Sequence, residues 1–345
     1  MVLAVRALDS GRYAAYTVVD QAVRACTLLE RGAAKGYVNG LLRSYLRQRR
    51  ALDARVLADP VVRYQHPEWW IELVRGAFPQ GWQEVLGAGN DHPPMALRVN
   101  RRRTAAADYA ARLEAAGITA QHLGDEALLL EQPLPVERLP GFADGDVSVQ
   151  DAGAQRAAHC LELEAGQRVL DACAAPGGKS AHMLECADID LTALDVDAVR
   201  CSTISRNLER LGLSAAVRAA DCTRVESWWD GVPFARILAD VPCSSSGVAR
   251  RHPDLKWLRR AADVPAYAAR QAAILDALWR VLAPDGKLLY VTCSVFPQEN
   301  GELVDSFVAR AADACRLALP DGQPAQWLPG PQHDGFFYAL IQKQA

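Results

Sequence analysis

The residues best suited to covalent chemistry are two cysteines: Cys243 in Asp240-Val-Pro-Cys243 and Cys293 in Thr292-Cys293-Ser294. Each follows an apolar run that predicts a sheet strand, Ile237-Leu238-Ala239 in the first case and Lys287 to Thr292 in the second. A third strand end lies upstream, where Val169-Leu170 enters Asp171-Ala-Cys-Ala-Ala-Pro-Gly-Gly-Lys179. In open α/β sheets, ligands gather at the carboxyl ends of the strands. Two thiols beside a glycine-rich loop point to attack on an electrophilic ring, one cysteine attacking and the other assisting. An isolated cysteine at a strand end is ordinarily an inert buried thiol. Polar Thr292 and Ser294 and the turn at Pro297 argue for access at Cys293.

Gly177 and Gly178 let backbone approach a ligand, and Lys179-Ser180 opens a helix whose first N–H groups are unpaired. The loop lacks the Gly-x-Gly-x-x-Gly dinucleotide pattern, and Gly-Lys-Ser without the preceding Gly-x-x-x-x is a poor triphosphate loop. Asp195 ends the next predicted strand, where a carboxylate can hold ribose hydroxyls. Asp221 ends the third and can meet an adenine edge, and Asp240 ends the fourth. Carboxylates in register at successive strand ends predict an adenosine ligand.

Three stretches must position these groups. Residues 1–58 form one segment in which 13–52 read as helix, with apolar faces through Val18-Val19 and Leu41-Leu42 and a break at Gly36. Residues 59–145 read as a small α/β unit. A helix starts at His66-Pro67, with Trp69 and Trp70 as packing anchors, and a strand runs Met95 to Asn100. A helix capped by Thr104 and stopped by Gly117 follows, then short strands at 118–123 and 128–130. Residues 146–345 alternate strand and helix. A helix over 265–282 reaches a turn at Pro284-Asp285-Gly286, and Phe336 to Ile341 forms a last antiparallel strand at or near an edge. Apolar strands between helices predict a doubly wound sheet.

Composition fits a soluble globular chain: 345 residues, half of them apolar, with a net charge of −3. Nine cysteines at irregular spacing do not make a secreted disulfide framework, which predicts a reducing, cytoplasmic compartment. Cys186, Cys201 and Cys315 read as small core residues. His159 adjoins Cys160, but no Cys-x-x-Cys or His-x-x-x-His spacing accompanies them, so no metal is expected. No leader is expected at the start, and no run approaches the roughly 20 apolar residues that span a bilayer, so no membrane contact is expected.

Arginines cluster at Arg43, Arg47, Arg49, Arg50 and Arg55, at Arg98 with Arg101 to Arg103, and at Arg250, Arg251, Lys256, Arg259 and Arg260. Basic surface on a mildly acidic chain predicts a nucleic-acid groove; the alternative is solvated helix faces. His252 is expected at RNA backbone or in the fold, and Trp257 either on RNA or against its helix.

In five segments the chain resembles the Sun/Fmu family of bacterial ribosomal RNA cytosine-5 methyltransferases, within the broader NOL1/NOP2/Sun group. They are Asp171 to Ser180, Ala239-Asp-Val-Pro-Cys-Ser-Ser-Ser-Gly247, Arg250-Arg-His-Pro-Asp-Leu-Lys-Trp257, Thr292-Cys-Ser-Val-Phe-Pro-Gln-Glu-Asn300 and Asp334-Gly-Phe-Phe-Tyr338. The resemblance runs from about Ala34 onward. It implies a Rossmann-like seven-stranded methyltransferase sheet, preceded by a small α/β RNA-binding subdomain. Before that it implies a truncated NusB-like helical segment, entered at Gly36-Tyr-Val-Asn-Gly-Leu-Leu-Arg43. The implied cofactor is S-adenosylmethionine, held by Cys173, Ala174, Ala175, Pro176, Gly177, Gly178, Lys179, Asp195, Arg200, Asp221 and Asp240. Cys293 would be the nucleophile and Cys243 the cysteine for product release, with Asp240 and Lys179 assisting. The implied substrate is the cytosine at position 967 in a 16S ribosomal RNA hairpin loop, modified by a monomer. Rivals are the same chemistry on another ribosomal or transfer RNA cytosine, DNA methylation, which usually uses the Pro-Cys cysteine, and a non-catalytic RNA-binding protein.

Overall fold

In the computed structural model, residues 1–29 and 31–345 are described, and they form two compact units, Met1–Gln65 and His66–Ala345. The first holds helices Val2–Asp9, Ala15–Leu28 and Lys35–Val56 around Leu8, Val18, Val19 and Leu42. The break falls not at Gly36 but in a 3-10 turn at Gly32–Ala34, and Gly36 lies inside the helix that follows. Arg49 is ion-paired to Asp9 at 3.0 Å and Asp53 at 3.5 Å, while Arg43, Arg47, Arg50 and Arg55 reach solvent to varying degrees.

The second unit carries two sheets. The smaller is built from β1 (Met95–Val99), β2 (Ala120–Gly124), β3 (Ala127–Leu130) and β4 (Val147–Val149) in the order β2-β3-β1-β4, all antiparallel. Helix Ala106–Ala115 closes its core, placing Tyr109 and Leu113 on Leu97, Val99 and Leu128. Thr104 does not cap that helix; Ala105 holds the cap position without a side-chain bond, and Gly117 at φ +73° turns the chain beyond its end.

Helix Glu68–Ala77 follows Pro67 and buries Trp70, Ile71 and Val74. The Trp70 ring meets Phe296 edge-on with centroids 5.2 Å apart, and Trp69 lies 6.0 Å from the same ring. Both tryptophans are packing anchors, and what they anchor is the loop after Cys293.

The larger sheet contains β5 (Arg168–Asp171), β6 (Asp190–Asp195), β7 (Ala216–Ala219), β8 (Phe234–Asp240), β9 (Leu282–Thr292), β10 (Ala314–Leu317), β11 (Gln326–Trp327) and β12 (Phe336–Lys343). Its order is β10-β12-β9-β8-β5-β6-β7, with β11 paired to β12 off that path. Strands β5 to β9 are mutually parallel, and β12 runs antiparallel to β9 and β10. Leu288 to Val291 and Ile237 to Ala239 are completely buried, because helices cover both faces. The turn expected at Pro284–Gly286 exists inside β9 as a bulge: Phe234 pairs with Leu282, but Arg236 pairs with Lys287, and Asp285 takes φ +58°. The chain builds β6 and β7 on one side of β5, then returns to lay β8 on the other side. That reversal opens a crevice at the carboxyl ends of β5 and β8.

Arg98 does not belong to the exposed basic surface. Strand β1 is covered on both faces, and Arg98 donates through Nε and Nη2 to the two Glu185 oxygens, both at 2.8 Å, and through Nη1 to Gly178 O at 2.8 Å. This buried bidentate pair ties the small sheet to helix Gly178–Cys186.

A candidate active site at the parallel strand ends

Strand β5 delivers the glycine-rich loop. Asp171 ends the strand, its Oδ2 accepting from Ser180 Oγ at 2.6 Å, and burial raises its pKa to about 7. The Ala175–Pro176 peptide is cis, and Gly177 at φ +97° starts helix Gly178–Cys186. A side chain at Gly177 would be strained and would press on Ile204, whose Cα lies 3.2 Å from the added carbon.

Asp195, at the end of β6, accepts from the N–H of Ala175 at 3.2 Å and of Asp197 at 3.1 Å, with Arg200 3.4 Å away. Arg200 also donates to Ala175 O at 3.0 Å, so the two side chains hold the loop backbone from both sides. A carboxylate offers about four acceptor directions, so Asp195 keeps capacity for a ligand. Asp221, beyond β7, accepts from Thr223 N at 3.0 Å and Thr223 Oγ1 at 2.7 Å, bonds that hold its pKa below the usual range.

A cavity of about 570 Å³ opens over these strand ends, a size suited to a nucleoside-sized ligand. Among the residues assigned to a cofactor by sequence, Cys173, Ala175, Asp195, Arg200, Asp221 and Asp240 line it, together with Cys243 and Cys293. Ala174, Pro176, Gly177, Gly178 and Lys179 do not line it; they form the loop and the helix start. Lys179 reaches the wall through Asp240, donating to its Oδ2 at 2.7 Å. Burial works against the ammonium, but Asp240 more than compensates and raises its pKa. Arg259, Tyr267 and Arg270 also line the cavity, the last two from helix Asp263–Val281, which carries no recognisable motif.

The Cys243 and Cys293 sulfurs are 3.4 Å apart. Their surroundings differ. Either sulfur can donate to the other; with Cys243 as the donor, that bond, the Ser245 hydroxyl and the Lys179 charge lower the Cys293 pKa despite burial and Asp240. Cys243 moves up, because its proton is engaged by Cys293, it is buried, and the Glu299 carboxyl stands behind it. Cys293 is therefore the thiol poised to ionise.

Glu299 organises the site, although its place in the sequence gives it no evident role. Its Oε1 accepts from Ser244 N at 2.7 Å and Gln271 Nε2 at 3.1 Å, and its Oε2 from Ser244 Oγ at 2.5 Å and Ser294 Oγ at 2.6 Å. One fully buried side chain thus clamps the residue after Cys243 and the residue after Cys293. Gly247 N donates to Cys293 O at 2.8 Å, and Gly335 N donates to Gly247 O at 2.9 Å. A Cβ at Gly247 would stand 2.5 Å from Gly335 O, so this approach requires glycine.

The third basic cluster is mostly internal. Arg250 donates to Asp334 at 2.6 Å, Gly330 O at 2.9 Å and His333 O at 2.6 Å. Arg251 pairs with Asp334 and Asp151, and Lys256 is buried against Gly89 O and Asn90. Arg259 donates to Ser244 O at 3.2 Å and lies over the Tyr267 ring. These cations hold the loops of the site together, and sequence cannot tell such arginines from solvated ones. Arg260 and His252 remain exposed, as does Trp257, which does not pack into the fold. Arg101, Arg102 and Arg103 are exposed at the end of β1.

Residues 158–342 match the 16S rRNA methyltransferase RsmB/F family, and residues 66–137 match the ferredoxin-like domain of RsmF/B-like methyltransferases. The chain is 45% identical to the ribosomal RNA small subunit methyltransferase B of Vibrio cholerae, over 96% of this chain and 78% of that one. The chain belongs to the RsmB/F family. The Pseudomonas syringae methyltransferase B is 43% identical over 97% of this chain and 78% of its own. A solved methyltransferase homolog from Pyrococcus horikoshii superposes with a TM-score of 0.73 at 25% identity, covering 82% of this chain and 97% of that one. As an RsmB/F member the protein is a ribosomal RNA methyltransferase with a Rossmann-like sheet. Among the described residues, no helix is long and apolar enough to cross a membrane.

Proposed function

We propose that the protein methylates C5 of a cytosine in 16S ribosomal RNA, position 967 being the first target to test. It would use S-adenosylmethionine and a transient bond from Cys293 to C6. The observation that supports this most is the thiol pair, 3.4 Å between sulfurs, on the wall of a cavity that also carries Asp195 and Asp221. C5 of cytosine is a poor nucleophile. Thiolate addition at C6 would break the aromatic system and make C5 enamine-like; C5 would then take the methyl group, the sulfonium sulfur leaving as a thioether, and loss of the C5 proton with expulsion of the Cys293 thiolate would restore the ring. Asp240, held by Lys179, can accept from the exocyclic amino group beside N3, while the Lys179 ammonium offsets the negative charge that develops on the ring on attack. The cofactor supplies an electrophilic methyl group. Asp195 would bind its ribose, Asp221 would face its adenine, and the backbone of Cys173 to Ala175 would frame it. A base in a loop leaves its stack at small cost to enter such a pocket. The free cysteines fit a reducing cytoplasm.

Incubating the protein with S-adenosylmethionine and unmodified 16S RNA, then reading protected cytosines by bisulfite sequencing, tests the target. Protection confined to another RNA would redirect the assignment, and no protection on any RNA would favour a binding role. Titration calorimetry should show cofactor binding, weakened by about 1.5–3 kcal/mol in Asp195→Ala, the scale of a charged hydrogen-bond partner. Equal affinity in both proteins would remove Asp195 from the site.

Replacing Arg101, Arg102 and Arg103 together by glutamine is expected to weaken binding of the RNA hairpin and flatten its salt dependence. The slope should fall by about 0.7 for each single-strand phosphate that is no longer neutralised. An unchanged slope would mean that these three arginines make no phosphate contacts.

A further inference from the structure

Away from the active site, Glu126, His159, His182 and Cys186 bring one carboxylate oxygen, two imidazole nitrogens and one sulfur to within 4.8 Å of one another. They come from three elements. Glu126 sits in the tight turn between β2 and β3, His159 on helix Ala152–Cys160, and His182 and Cys186 one turn apart on helix Gly178–Cys186. The signal in the sequence is His182-x-x-x-Cys186, an i, i+4 pair that shares one helix face, completed by residues distant in the chain.

We propose that these four residues form a structural zinc site that fastens the small sheet to the methyltransferase sheet. Mixed nitrogen, sulfur and oxygen donors suit a borderline-soft ion that accepts four ligands, whereas magnesium and calcium demand oxygen. Carboxylate and thiolate together cancel the charge of a divalent cation. Glu126 Oε1 now receives His159 Nε2 at 3.0 Å and also His182 Nε2, so both rings converge on one atom. The Nδ1 of His182 is buried and meets no hydrogen-bond partner among the described residues. Binding displaces one proton from the Cys186 thiol to solvent, and each imidazole ligates through an unprotonated nitrogen. The Arg101 guanidinium beside Cys186 can remain as a hydrogen-bond donor to the bound thiolate. An entry route exists, because Glu126 and His159 also line a second cavity of about 480 Å³.

The protein, stripped with a chelator, would be titrated with zinc against a chromophoric competitor, and in parallel with cobalt(II). One equivalent should bind, and cobalt should give the visible bands of a tetrahedral site with a sulfur-to-cobalt charge-transfer band. Cys186→Ser should abolish the charge-transfer band, and half-exposed His159→Gln should weaken zinc by more than about tenfold. The double variant Cys243→Ser/Cys293→Ser should still bind one equivalent, which separates this site from the active-site thiols. Circular dichroism would establish that each variant is folded. Failure of the folded parent to take up metal would overturn the proposal and leave a hydrogen-bonded cluster. Uptake unaffected by Cys186→Ser and His159→Gln, or lost only in the Cys243/Cys293 variant, would also overturn it.

Discussion

Cys243→Ala is expected to leave the protein covalently attached to its RNA, while Cys293→Ala abolishes methyl transfer with no attachment. The two sulfurs are 3.4 Å apart, so distance alone does not assign roles. Environment does. With Cys243 as the donor between the sulfurs, that bond, the Ser245 hydroxyl and the Lys179 charge favour the Cys293 thiolate, whereas the Glu299 carboxyl behind Cys243 disfavours a thiolate there. The Cys293 thiolate attacks, and Cys243, once it has given its own proton to solvent, is left as the base that takes the C5 proton so that Cys293 is expelled and the product released. Without Cys243, attack and methylation proceed and release stalls. The measurement is an SDS-resistant protein–RNA band formed with substrate RNA and S-adenosylmethionine. It should accumulate in Cys243→Ala and be missing from Cys293→Ala and the double variant. A band in Cys293→Ala but not in Cys243→Ala would exchange the roles and undo the proposed chemistry.

Glu299→Ala should destabilise the protein by on the order of 3–5 kcal/mol and remove activity even where the chain remains folded. The side chain is fully buried and accepts four hydrogen bonds, and deletion strands their donors without water. Ser244 and Ser294 would lose the clamp that sets both thiols. Glu299→Gln should be milder, because the amide keeps an acceptor oxygen for Ser244 N and Gln271, and the serine hydroxyls can rotate to accept from its NH₂. Urea midpoints and methyl-transfer rates measured on both variants decide this. A midpoint for Glu299→Ala equal to the parent's would mean the loops are held by other interactions.

The strand ends of the site were legible because each combines a short apolar run with a loop of unusual composition, which fixes both the sheet and the direction its carboxyl ends face. Asp195, Asp221, Asp240, Cys243 and Cys293 accordingly line one cavity. Glu299 was not legible as a clamp. Its motif was visible, but the serine whose backbone and hydroxyl it grips is 55 residues away, and no local pattern announces such a pairing. The arginines failed for another reason. Arg98 and Arg250 sit among exposed-looking basic neighbours, yet Glu185 and Asp334 neutralise them in the interior, and both partners are remote in sequence. His182 and Cys186 escape notice because a mixed pair on one helix face matches neither Cys-x-x-Cys nor His-x-x-x-His, and their two companions come from distant elements.

The place of β12 has a consequence for biosynthesis. It is made more than forty residues after β9 ends, yet it lies between β9 and β10 instead of outside them. While the ribosome is still translating the intervening segment, the edge of β9 has no partner, and its row of backbone donors and acceptors is open to other nascent chains. Gly335, immediately before β12, also supplies the backbone contact to Gly247 beside Cys293. Until that stretch docks, the growing polypeptide exposes a sticky border and lacks part of the support for its attacking thiol. Chaperone dependence and acquisition of activity should therefore share one late step in synthesis.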